Sequence, residues 1–227
     1  MNFILTTQCL SKCKFCFVPG KLRAKQKEMS FSDFKNYLEH INLIYCENKP
    51  AIGILGGEPT LAKDFPMIAG YLKSYQSLVR VYSNLITDTK KLEYLAGAKN
   101  IVLVWNAGAY LIAEKQKQNL ILKNLKFIKK YLKDNITASI TLYHDFKIKD
   151  FAGIIKILKK HKIKNIRIAV DSTNHRKFLK KGNEVFDFCK YLADNKFEII
   201  SSYCGHFLKG MFNKEQNKYL KHKHNKF

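Results

Sequence analysis

Apolar positions along the chain follow two rhythms in turn. Short runs rich in Val, Ile and Leu fall at residues 2–7, 51–55, 78–83, 100–105, 136–143 and 163–170, and each reads as a strand. Between them, at 65–75, 88–95, 113–131 and 151–161, apolar residues recur at every third or fourth place and predict helices. Another helix begins at Ser30-Phe31-Ser32-Asp33, with Phe34, Tyr37, Leu38 and Ile41 on one face. In the longest helix Leu120, Leu122, Leu125, Ile128 and Leu132 form the expected core stripe. A helix over 183–192 and an apolar run over 197–201 complete the ordered part.

Strand–helix alternation of this kind is the pattern of βα units around a parallel sheet, so an α/β fold is expected. Six units are counted, with one extra strand. At 227 residues the chain suits one domain and falls short of the ~250 typical of an eight-unit barrel. A core domain over residues 1–205 is expected, followed by a basic, flexible carboxyl-terminal tail over 206–227. Barrel enzymes carry their chemistry on the loops at the carboxyl ends of the strands. Four such places stand out: the loop after the first strand, Gly56-Gly57 after the second, Ser83-Asn84 after the third and Asn106 after the fourth.

The first of these loops holds Cys9, Cys13 and Cys16 in the spacing C-x3-C-x2-C. Three thiolates so close in sequence can hold three corners of a cubane iron–sulfur cluster and leave the fourth iron without a protein ligand. Two plainer readings stand beside it. Half of a zinc site would need a fourth ligand from Cys46, Cys204 or a histidine, none at the usual pairing distance. Cysteines packed in a core are the other, and Cys46 and Cys189, on helical patterns, read that way. After the second strand comes Gly56-Gly57-Glu58-Pro59-Thr60, whose glycines permit close backbone approach and whose proline fixes the entry to the next segment.

Taken together, the cysteine triplet, Phe15 just before its last member and the Gly56–Pro59 motif about forty residues on resemble the radical S-adenosylmethionine (radical SAM) enzymes over residues 3–170. The resemblance implies a partial (β/α)6 TIM-like barrel. It also implies a [4Fe-4S] cluster on Cys9, Cys13 and Cys16, with S-adenosyl-L-methionine on the open iron. One-electron cleavage would then give methionine and a 5′-deoxyadenosyl radical that takes hydrogen from a substrate, the cofactor supplying the reactivity. In this arrangement Phe15 packs near the adenine, and Gly56, Gly57, Glu58 and Pro59 form the loop that receives the methionine amine, with Glu58 acting directly or by holding the loop. Ser83, Asn84 and Asn106 are the polar groups toward the ribose or carboxylate. Here the family's third-strand T-N-G is changed, with Ser83 for the threonine and Leu85 for the glycine. Cys204 stands where auxiliary-cluster extensions begin in some relatives, but no further cysteine follows it.

Composition adds limits. Net charge is +23, and 37 of the 41 basic residues are lysine, with arginine only at 23, 80, 167 and 176. Such a field draws phosphates and acidic partners, but specific nucleic-acid readers favour arginine's fork. Compositional drift and an acidic partner both remain open, and nucleic acid is not favoured. No apolar run of about 18 residues predicts a membrane span. The opening residues read as a strand and not as an export signal, and six cysteines without one point to reduced thiols in the cytoplasm. With its G-G-E-P-T-L and compact core the chain most resembles the family's peptide- or protein-modifying members, and the resemblance implies a peptide or protein substrate and an external flavodoxin- or ferredoxin-type electron donor. A glycyl-radical-enzyme activase or 7-carboxy-7-deazaguanine synthase is the alternative, and a basic zinc- or RNA-binding module the rival of a different class. Arg167 and Asp171, on or after the sixth strand, face substrate or form a strand-edge ion pair.

Overall fold

A computed structural model describes residues 1–13, 16–143, 145–171, 181–200 and 212–223. It divides into two units, Met1–Ile136 and Thr137–Phe227. In the first, strands β1 (Asn2–Ile4), β2 (Ile52–Leu55), β3 (Val79–Ser83) and β4 (Ile101–Asn106) pair in chain order, all parallel. Register aligns Phe3 with Ile54, Ile54 with Val81, and Val81 with Leu103. These four side chains share a face, and all are buried. Helix α2 (Phe31–Tyr45) covers it, with Phe34 fully buried and its ring edge-on to Phe3 at 4.9 Å. Burying a side chain of this size stabilises by about 1.5–3 kcal/mol. Ser30 caps the helix through Asp33 N–H, as its sequence predicted. On the opposite face, with Ile4, Leu55, Arg80, Tyr82, Val104 and Asn106, Ile4 and Arg80 are exposed and Val104 is buried.

The remaining helices of this unit are α1 (Gly20–Ala24), α3 (Phe65–Leu72), α4 (Thr89–Glu93), α5 (Gly108–Leu111) and α6 (Lys115–Leu132). Two expectations need correction. The first strand stops at Ile4, because Thr6 turns away to bridge antiparallel to Glu28 and Thr7 bonds Lys27. In α6 the core positions are Ile121, Asn124, Leu125, Ile128 and Leu132; Leu120 and Leu122 are half-buried. Residues 121, 125, 128 and 132 keep the four-three spacing of one helical face, which 120 and 122 flank.

In the second unit β5 (Ile136–Leu142), β6 (Asn165–Val170) and β7 (Glu198–Ile200) are likewise parallel and in chain order, so the extra strand is present. Helices α7 (Ala152–Lys160) and α8 (Gly182–Asp194) pack with a ring cluster in which Phe151 and Phe188 lie 5.0 Å apart and Phe146 about 6 Å from both. Within the basic 206–227 stretch a helix α9 (Lys214–Lys223) forms, Leu220 is buried, and Phe212 and Tyr219 meet Phe186 edge-on. Arg167 donates from Nη1 to Ser139 Oγ at 2.8 Å, and Asp171 is buried after β6.

Candidate functional site

Parallel pairing puts the loops after β1, β2 and β3 at one edge of the first unit, and backbone bonds tie them together. Gly57 N–H donates to Thr6 O and Glu58 N–H to Gln8 O, each at 2.7 Å. This closeness requires glycine. A Cβ on Gly56 would stand 2.6 Å from Thr6 O, and one on Gly57 would overlap the Gln8 carbonyl and come 2.8 Å from Cys9 Cβ. The glycine loop therefore lies directly against the chain that enters the cysteine loop.

Glu58 holds the arrangement and faces no solvent. Its Oε1 accepts from Thr60 Oγ1 (2.8 Å), Ser83 Oγ (2.9 Å) and Thr60 N–H (3.3 Å), and its Oε2 from Asn84 N–H (2.7 Å). It caps the short 3-10 turn Pro59–Leu61 and fastens it to the end of β3. Burial raises its pKa, against these four bonds, which act to lower it. Of the two readings of Glu58, the contacts are those of a loop holder. Ser83 belongs to the same brace: it donates to Glu58 and accepts from Leu85 N–H.

Each cysteine of the triplet is half-buried and free. Cys9 Sγ accepts from Ser11 N–H and from Asn84 Nδ2, both at 3.4 Å. Cys16 N–H bonds Cys13 O at 3.3 Å. Burial pushes the Cys9 thiol up, with Glu58 and Cys16 adding to it and Ser11 opposing. Cys13 is pushed up to about 12 by burial and then by Cys9 and Cys16, against a pull downward from Arg23. Among the described residues no three His, Cys, Asp or Glu side chains are set to hold a single metal ion.

Asn106 ends β4 with its Oδ1 buried and unbonded, and Ser11 Oγ in the cysteine loop is in the same state. Phe15 and Cys204 lie outside the described residues. Cys46 is exposed at the end of α2 and Cys189 buried in α8. Asn124 escaped the sequence reading. Fully buried in α6, it donates from Nδ2 to Leu85 O (3.0 Å) and Thr87 O (2.8 Å) and accepts from Thr89 Oγ1 (2.7 Å), pinning the segment after Asn84. The available signal was an asparagine on an apolar helical stripe.

Comparisons with known proteins agree with this geometry. The chain is 29% identical over 169 residues to a 7,8-dihydro-6-hydroxymethylpterin dimethyltransferase of Methanocaldococcus jannaschii, a match over 68% of this chain and 32% of that protein. Among solved structures, SuiB of Streptococcus suis bound to S-adenosylmethionine superposes with a TM-score of 0.62 at 17% identity, over 86% of this chain and 44% of SuiB. SuiB bound to its precursor peptide SuiA gives 0.63 at 16%, over 96% and 53%. TYW1 with a lysine-pyruvate adduct gives 0.55 at 18%, over 83% and 70%. At these identities the likeness shows the fold alone, and it bears out the α/β, TIM-like architecture with parallel strands. The chain spans about a third of the curated relative and about half of SuiB. The family model of the Radical SAM superfamily matches residues 3–158, from β1 into α7 and across every loop of the site, and the chain belongs to that superfamily of enzymes.

Proposed function

We propose that Cys9, Cys13 and Cys16 hold three irons of a [4Fe-4S] cluster and that the loop Gly56–Pro59, with Asn106, receives S-adenosylmethionine beside it. The family match implies both groups. The residues fit them: three free thiols share one loop, two N–H donors already point at Cys9 sulfur, and buried polar atoms of Asn106 and Ser11 await partners. Loading requires thiolates, and a bound cation would offset the burial and the neighbouring thiols that together raise the Cys13 thiol. When bound, the cluster supplies one electron that splits the sulfonium of S-adenosylmethionine into methionine and a 5′-deoxyadenosyl radical.

The chain's own residues bind, space and shield. Gly56 and Gly57 bring the β2 loop against Gln8 and Cys9, so a ligand on this loop sits next to the thiols. Glu58, sealed from solvent, fixes that spacing through its bonds to Thr60, Ser83 and Asn84. A peptide or protein substrate is the reading best supported, since SuiB, a neighbour in fold, binds a precursor peptide. An external one-electron donor of flavodoxin or ferredoxin type and a reducing compartment such as the cytoplasm accompany it. No described helix is long and apolar enough to cross a membrane.

The observation that carries the reading is the glycine loop packed against Gln8 and Cys9, at the entrance to the C-x3-C-x2-C loop of a radical SAM sequence. Anaerobic reconstitution should load about four irons per chain, and Cys13→Ala should lose them. The loaded wild type, given dithionite and S-adenosylmethionine, should release 5′-deoxyadenosine. Zinc retention without cleavage would instead favour a binding module.

A further inference from the structure

We propose that Asn84 is a positioning residue for the cluster, whose side-chain amide donates an N–H···S bond to Cys9 and thereby raises the potential at which the cluster accepts its electron. The inference rests on Cys9 being a cluster ligand, and it moves Asn84 from the cofactor's ribose or carboxylate to the cluster's own sulfur.

The direction of the amide is set by its partners. Ile86 N–H can only donate, and it lies 2.7 Å from Asn84 Oδ1, so the oxygen end of the amide faces Ile86. The nitrogen end then faces Cys9 Sγ, at 3.4 Å. Leu85 makes this possible by adopting φ +61°, which folds Ile86 back over the side chain of residue 84. Such a backbone is uncommon for a branched residue and needs support from its surroundings. Glu58 Oε2 supplies it on one side by holding Asn84 N–H, and Asn124 on the other by holding Leu85 O and Thr87 O. Asn84 is thus anchored through backbone N–H, Oδ1 and the following peptide, with Nδ2 left for sulfur.

Hydrogen bonds to cluster sulfurs are among the levers that set an iron–sulfur potential. Reduction adds negative charge, part of which resides on the thiolate sulfurs, and an N–H dipole aimed at one of them favours the reduced form. Burial strengthens the effect: Asn84 is only 5% exposed, so little water competes with the amide. Ser11 gives Cys9 a second donor, but that one is backbone and belongs to the loop itself. Asn84 is a donor from another strand, 75 residues away, so the end of β3 and the electron-accepting group are coupled through one bond.

The test is a redox titration of the full chain, reconstituted without oxygen and read by the electron paramagnetic resonance of the reduced cluster, with no S-adenosylmethionine present. Asn84→Asp keeps the acceptor for Ile86 and removes the donor; Asn84→Ala removes the donor without adding charge. Both should bind as much iron as wild type yet show a reduced-to-oxidised ratio at least tenfold lower at the wild-type midpoint, a 59 mV shift for one electron. Full iron with an unmoved midpoint in Asn84→Ala overturns the proposal. Should both variants lose iron, the wild type labelled with 15N in asparagine side chains decides. Electron spin echo of its reduced cluster should show a 15N coupling, and none would overturn it. A wild type that binds no iron removes the assignment of Cys9, and this inference with it.

Discussion

Cys13 in the loop after β1 and Cys189 in helix α8 are both pushed up to about 12, chiefly by burial, but in different company. Around Cys189 burial is the cause that raises it, in a core of Val185, Phe188 and Leu192. Around Cys13 burial acts together with two more thiols, and an arginine opposes them. The first thiol is a small apolar filler. The second also feels two other thiols of its own loop, which a bound cation would offset. A perturbed titration therefore marks a candidate site by its neighbours and not by its size.

That contrast can be broken at Cys189. A thiol whose pKa lies above its unfolded value near 9 adds stability that is complete below pH 9 and is lost as pH climbs toward 12. Three pH units correspond to roughly 4 kcal/mol. Denaturant melts of the metal-free chain should show stability falling across this window, and Cys189→Ala should remove the share of the fall that belongs to Cys189, leaving that of Cys13 and the iron loading at the wild-type level. Loss of iron in Cys189→Ala would mean that the two regions are not as different as their surroundings indicate.

Much of this was legible beforehand, and the reason is local chemistry. Spacing alone displayed Cys9, Cys13 and Cys16, and the Gly56-Gly57 pair announced a close approach that the Gln8 and Thr6 carbonyls supply. Alternation of strands and helices predicted the parallel pairing and even the short β7. Less legible were features decided by distant partners. The β1 strand ends early because Glu28, more than twenty residues on, captures Thr6. Glu58 could have faced a ligand or the core, and only the arrival of Ser83 and Asn84 from β3 decides it.

Glu58 sharpens the comparison from the other side, because it is a fully buried carboxylate held by four hydrogen bonds beside the cysteine loop. Glu58→Ala leaves Thr60 N–H and Asn84 N–H without acceptors, and each unsatisfied buried donor costs about 1–3 kcal/mol. We expect a loss of about 2–4 kcal/mol in the metal-free protein. Iron loading should fall as well, since the same change releases the β3 end from the glycine loop. Unchanged stability would show that the buried carboxylate is not the brace its four bonds describe.

Asn124 tests how far that brace extends, with the smallest effect. It is the polar member of an otherwise apolar stripe on α6, and it touches neither a thiol nor the glycine loop. Asn124→Leu keeps the volume close and deprives Leu85 O and Thr87 O of their donor. Carbonyls tolerate this better than N–H groups do, so the cost should lie near 1–2 kcal/mol, below that of Glu58→Ala. Because Leu85 follows Asn84 directly, its slackening should also blur the direction of the Asn84 amide. The variant should therefore load iron fully yet show a midpoint displaced toward that of Asn84→Ala. Stability lost with the midpoint unmoved would confine Asn124 to packing and leave Glu58 as the sole support of the β3 end.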